Sequence, residues 1–204
     1  MKEKVISIIN QKGGVGKTTT VINLAAGLSM QGKKVLVIDL DPQGNATTGL
    51  GLSNLENSEK SIYSVLNGSK EISEVIEKTN FENLDLITSN VDLSGLEVET
   101  AGDNRRAFIL KEKIMAYFNN SRGIYSHVLI DCPPSLSLLT IMSLVTSDSL
   151  LVPLQTEFFA LEGVTQLMKT IERIKNNLNP ELLIRGILFT MYDKRNKLSG
   201  EVEK

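Results

Sequence analysis

Lys12-Gly13-Gly14-Val15-Gly16-Lys17-Thr18 is the stretch that decides how this chain folds. It follows a short β-branched run, Val5-Ile6-Ser7-Ile8-Ile9, and precedes a segment with helical spacing from Thr18 to Gln31. Within that segment Val21, Leu24, Ala25 and Leu28 recur at i, i+3, i+4 and i+7, and Gly32 stands where a helix C-cap belongs. Strand, glycine-rich loop and helix, in that order, are what a phosphate-binding loop requires. Glycines let successive backbone N–H groups turn toward one anion, and the helix start behind them adds partial positive charge. Lys17 is placed to reach β- and γ-phosphates, and the Thr18 hydroxyl to hold Mg²⁺. The common pattern G-x-x-x-x-G-K-[ST] begins on glycine. Here Gln11 takes that position, and Lys12 adds a second lysine inside the loop.

Outward from the loop, apolar runs alternate with amphipathic stretches. Lys34 to Asp39, Leu84 to Ile87, His127 to Asp131, Leu150 to Pro153 and Ile184 to Met191 read as further strands. Helical patterns cover Ile62 to Asn67, Ile72 to Lys78, Arg105 to Asn119, Ser137 to Ser147 and Val164 to Asn177. Strands that are continuously apolar and alternate with helices predict an α/β fold, a mostly parallel sheet with helices on both faces. Leu52 to Lys60 is polar and reads as a surface loop. The apolar stripe Ile109, Ile114, Met115 and Phe118 reads as core.

Composition narrows the function. The 204 residues suit one domain, 1–204, and the formal charge of -2 excludes a globally basic nucleic-acid binder, so any such contact must be a local patch. One Cys and one His exclude a disulfide framework and a self-contained zinc site. Cys132 and His127 therefore read as structural. No apolar run approaches the ~18–20 residues that span a bilayer. Asn10 and Gln11 interrupt any signal-peptide core, so a cytoplasmic protein is the expectation.

Two acidic elements complete the candidate site. Asp131 ends the strand Val128-Leu129-Ile130-Asp131, where a carboxylate can serve the magnesium shell of a nucleotide site. Asp39 and Asp41 bracket the end of the second strand, where ligands sit in open α/β sheets; a turn and helix-cap role is their other reading. Pro133-Pro134-Ser135 stiffens the loop after Asp131. The hollow itself is expected at the amino-terminal end of the sheet.

At these residues the sequence resembles a known family. KGGVGKTTT, DLDPQGNATTGLG, LIDCPPS and VPLQTEFFALEGV are similar to the ParA/Soj-type deviant Walker ATPases, which partition chromosomes and plasmids. The resemblance runs in order from Lys4 to about Lys197. It implies a P-loop NTPase fold, with ATP and Mg²⁺ as cofactors. It also implies an ATP-dependent homodimer that binds DNA without sequence preference, and a ParB-type centromere-binding partner that stimulates slow hydrolysis. By position, Lys12 is the signature lysine that reaches the partner's ATP. Gly13, Gly14, Val15, Gly16, Lys17, Thr18 and Thr19 cradle the phosphates. Asp41 positions the attacking water, Asp39 lies beside the metal shell, and Asp131 is the Walker B aspartate. Arg195, flanked by Lys194 and Lys197, matches a DNA-contacting arginine. The resemblance thus implies a nucleoid-associated protein with no membrane partner.

Relatives of this kind extend beyond the position of Lys204, so a C-terminally truncated form is expected. Leu198 to Lys204 reads as the start of a helix. Two other functions share the phosphate loop. One is a MinD-like division-site ATPase; the other is a truncated, non-hydrolysing nucleotide-binding partner of a full-length copy. A redox relative holding an iron–sulfur cluster needs paired cysteines, which a single Cys132 does not supply.

Overall fold

Five-residue strands whose side chains are nearly all buried build the centre of the sheet, as strands covered on both faces must. The computed structural model describes residues 4–52, 59–121, 124–156, 160–193 and 195. The strands are β1 (Lys4–Ile8), β2 (Val35–Asp39), β3 (Ile76–Lys78), β4 (Leu84–Ile87), β5 (His127–Asp131), β6 (Ser149–Gln155) and β7 (Leu183–Thr190). The α-helices are α1 (Lys17–Met30), α2 (Asn45–Gly49), α3 (Ile62–Leu66), α4 (Ile72–Val75), α5 (Leu96–Glu99), α6 (Ile109–Asn120), α7 (Leu138–Thr146) and α8 (Ala160–Asn177). The sheet runs β3-β4-β2-β5-β1-β6-β7, parallel throughout except for the antiparallel edge strand β3.

Alternation along each central strand divides the core in two. Ile6 and Ile8 of β1, Val35 and Val37 of β2 and Leu129 of β5 pack with Val21 and Ala25 of α1. Their neighbours Val5, Leu36, Ile38, Val128 and Ile130 pack on the other face with α6, α7 and α8 through Leu110, Ile114, Met142, Leu167 and Ile171. A period of two thus gives each face its own helical layer.

Three expectations are corrected. The predicted helix Ile72 to Lys78 ends at Val75, because Ile76, Glu77 and Lys78 pair with β4 and Lys78 Nζ reaches the buried Asp85 carboxylate at 2.9 and 3.0 Å. Met115 is 54% exposed, whereas Leu110, Ile114 and Phe118 form the buried face of α6. The glycine-rich loop leaves the last residue of β1, so the hollow lies at the carboxyl end of the sheet and not at its amino-terminal end.

The strand β7 departs from the both-faces pattern. Leu183, Ile184, Ile187 and Leu188 remain exposed among the described residues, since β7 is the edge next to β6. Residues 53–58 of the predicted polar loop, Phe158 and Phe159, Lys194, Lys197 and the helix expected from Leu198 lie outside the described residues.

Candidate functional site

Parallel register brings three strand ends to one place. Ile8 and Asp39 both lie opposite Asp131, so the loop after β1 and the two acidic strand ends share one rim of the sheet. This is the carboxyl rim, where open α/β sheets bind ligands.

The loop between β1 and α1 is shaped by glycine. Gly14 and Gly16 have φ of 75° and 88°, a region that costs a side-chain-bearing residue ~1–2 kcal/mol. Gly13 needs no such φ, and a Cβ built on it meets no atom within 4 Å among the described residues. That side of the loop is open, as close approach of a ligand to the backbone requires. Gly16 is the N-cap of α1, and the first turn holds no acidic residue. Its first N–H groups thus have no side-chain carboxylate to neutralise them, which suits an anion. Val15 is buried, Thr18 is half-buried, and Thr19 is exposed.

Lys17 is only 7% exposed, and its Nζ donates to the Lys12 carbonyl at 2.9 Å. Burial lowers its pKa, while the carboxylates of Asp131 and Asp41 pull it back up. Lys12 is exposed, and its own N–H donates to Asn10 Oδ1 at 3.0 Å. Asn10 Nδ2 in turn donates to the Pro153 carbonyl at 2.7 Å, tying the loop to β6. At the other side, the Thr190 hydroxyl donates to the Val15 carbonyl at 2.8 Å.

The three carboxylates differ in what they touch. Asp39 accepts from the Thr47 N–H and hydroxyl, both at 2.7 Å, and from the Asp41 N–H at 3.2 Å. Burial pushes its pKa up to about 6 against those hydrogen bonds. Asp41 accepts from the Gln43 N–H at 3.0 Å, and its carbonyl accepts from the Ser89 hydroxyl. Asp131 is fully buried, and neither carboxylate oxygen has a hydrogen-bond partner among the described residues. Its pKa rises to about 7, first from burial and then from the charge of Asp39; the nearby Thr18 hydroxyl and Lys17 act in the opposite sense, although Thr18 lacks hydrogen-bond geometry toward it.

A buried carboxylate without a donor is costly unless something neutralises it. Facing Thr18 and Lys17, Asp131 fits a divalent cation held with phosphates. Among the described residues no group of three or more His, Cys, Asp and Glu forms a complete metal site. Mg²⁺ typically takes one or two protein ligands and the rest from substrate phosphates and water.

Arg195 is exposed and folds back on Asp193, with Nη2 2.7 Å from its carboxylate. The structure does not bring it to the three carboxylates. Cys132 is buried, its thiol pushed up to about 12 by burial, and His127 Nδ1 is 3.0 Å from the Ser126 hydroxyl. The sequence reading missed Asn10, Thr47, Ser89 and Thr190. Only Thr47, eight residues from Asp39 at the start of a short helix, carried a local signal.

A family model described as an AAA domain matches residues 3–184. The Chromosome partitioning protein ParA of Caulobacter vibrioides (strain NA1000 / CB15N) is 50% identical over 201 residues, 98% of this chain and 74% of that protein. The Sporulation initiation inhibitor protein Soj of Bacillus subtilis (strain 168) is 45% identical, covering 98% of this chain and 77% of its own. This chain belongs to the ParA/Soj family. A solved structure with a similar fold is that of Cobyrinic Acid a,c-diamide synthase from Mycobacterium smegmatis, with a TM-score of 0.91 and 39% identity over 99% of this chain and 80% of that one. That protein has been crystallised with ADP and magnesium and with an ATP analogue and magnesium. No helix among the described residues is long and apolar enough to cross a membrane.

Proposed function

We propose that this chain binds ATP with Mg²⁺ and hydrolyses it slowly to ADP and phosphate. In this reading it forms an ATP-dependent dimer, binds DNA without sequence preference, and helps segregate chromosomes or plasmids. The observation that carries the reading is the partnerless buried carboxylate of Asp131, set on the same rim as Lys17 and Thr18. Support also comes from the chromosome partitioning relative, whose 50% identity exceeds the 39% of the diamide synthase structure.

Each group has a role in the proposed reaction. The N–H groups from Gly13 to Thr19 receive the phosphate oxygens, and Gly16 starts the helix that adds its dipole. Lys17, already desolvated, gains in a phosphate a stronger acceptor than the Lys12 carbonyl. Thr18 and Asp131 would hold Mg²⁺, with Asp39 beside them, and the ion when bound draws negative charge off the phosphate oxygens. Asp41 orients the water that attacks the γ-phosphate. Lys12 is exposed, and in a dimer its ammonium adds positive charge at the partner's γ-phosphate. Arg195 contributes to the DNA contact, where phosphate neutralisation needs no base recognition. A ParB-type protein stimulates turnover, and the DNA-bound dimer resides on the nucleoid in the cytoplasm.

Lys12 gives the test. In Lys12→Ala, ATP-dependent dimerisation and turnover fall by tenfold or more while ATP affinity changes little, measured by analytical ultracentrifugation, phosphate release and calorimetry. Full turnover and intact ATP-dependent dimerisation in that variant would sink the role in trans.

A further inference from the structure

The phosphate loop is held from outside by a residue that lies at the far edge of the sheet. Thr190, the last residue of β7, is 175 positions away from Val15 in sequence, yet its hydroxyl donates to the Val15 carbonyl at 2.8 Å. Its Cγ2 lies 3.5 Å and its Cβ 3.8 Å from the place a Cβ on Gly16 would take, so the methyl packs on the next residue of the loop.

A trans peptide directs its C=O and N–H to opposite sides. A donor that grips the Val15 carbonyl therefore sets the direction of the Gly16 N–H, and with it the start of α1. In a glycine-rich loop this control matters more than elsewhere. Gly16, at φ of 88°, has no Cβ to restrict rotation on its side of the Val15–Gly16 peptide, so an outside donor adds a restraint there. A phosphate gains most when its donors are already aimed, because aiming them on binding costs conformational entropy.

We propose that Thr190 is a positioning residue for nucleotide binding: its hydroxyl fixes the Val15–Gly16 peptide so that the loop meets phosphate already formed. The inference rests on the nucleotide-binding reading above and names a residue that this reading does not contain. Asn10 plays the matching part at the loop's start, where it links the Lys12 N–H to the Pro153 carbonyl. The phosphate loop is thus suspended between β6 and β7 as well as between β1 and α1.

The hydroxyl separates this role from plain packing. Thr190→Val keeps the shape and the methyl contact on Gly16 but removes the donor; Thr190→Ser keeps the donor. Binding of MgADP to the 204-residue chain is measured by isothermal titration calorimetry, with thermal unfolding of the nucleotide-free chain alongside. We expect MgADP affinity to fall about tenfold in Thr190→Val and to stay within about twofold of wild type in Thr190→Ser. Should Thr190→Val not fold, Thr190→Cys, a near-isostere with a poor donor, should lose affinity several-fold. Unchanged affinity in Thr190→Val or in Thr190→Cys would overturn the proposal, even with a lowered unfolding temperature. Equal loss in Thr190→Val and Thr190→Ser would overturn it too. A wild-type chain that binds no MgADP overturns both this inference and the nucleotide-binding reading, whereas wild-type binding with an indifferent Thr190→Val overturns this inference alone.

Discussion

Replacing Asp131 with Asn should make the nucleotide-free chain more stable at alkaline pH while abolishing its use of Mg²⁺. The side chain is fully buried, both oxygens lack a donor, and the folded-state pKa of about 7 stands above the ordinary 3.8. A carboxyl whose folded pKa is raised contributes stability that is fully present below the unfolded value and is lost as pH rises through the folded one. The window therefore runs from about pH 4 to pH 8. A rise from 3.8 to about 7 corresponds to a loss of up to about 4 kcal/mol across that window. Asn removes the ionisation but leaves buried polar atoms unpaired, which costs about 1–3 kcal/mol. The net expectation is that Asp131→Asn is more stable than wild type by about 1–3 kcal/mol at pH 8, and equal or less stable at pH 5. Urea unfolding at pH 5, 6, 7 and 8, without Mg²⁺ or nucleotide, reads this directly. With MgATP present the order reverses, because wild type alone gains from the ion. A variant less stable than wild type at pH 8, or a difference that does not move with pH, would refute the claim that Asp131 is a strained and unpartnered charge.

Other consequences are simpler to state. Gly16→Ala places a side chain at φ of 88° beside the Thr190 methyl and should cost about 1–3 kcal/mol of stability together with most nucleotide affinity, read by unfolding and calorimetry. Tyr125→Phe removes the hydroxyl that donates to buried Asp85 at 2.6 Å, so stability should drop by about 1–3 kcal/mol with ATP affinity unchanged; a change in affinity would tie that end of the sheet to the site. Arg195→Glu should weaken ATP-dependent DNA binding in a filter or mobility assay and leave nucleotide binding intact, and equal DNA affinity would remove Arg195 from the contact.

The parts of the site that are contiguous in sequence could be read from it. Lys12 to Thr19 needed only the order strand, glycines, helix, and Asp39 and Asp131 needed only the ends of two apolar runs. Parallel register then placed them together without further information. What escaped was set by pairing over distance. The segment Ile76 to Lys78 has helical spacing, but β4 offers it a ladder and Asp85 a partner, and tertiary pairing overrides local preference. The hold of Thr190 on Val15 spans 175 residues, and nothing in the composition around Thr190 announces it. Ser89 likewise reaches the Asp41 carbonyl and the Thr47 hydroxyl from the loop that follows β4. Met115 falls outside the buried face because spacing gives only the angle around a helix, whereas the neighbouring elements decide how wide the covered stripe is.

All of this depends on one claim, that the loop after β1 receives a triphosphate. The most direct measurement is a crystal structure of the chain grown with Mg²⁺ and a non-hydrolysable ATP analogue. The account predicts β- and γ-phosphates against the N–H groups of Gly16 to Thr19, with Lys17 Nζ moved from the Lys12 carbonyl to a phosphate oxygen. A loop without phosphate, with Lys17 still on the Lys12 carbonyl at saturating analogue, would contradict it.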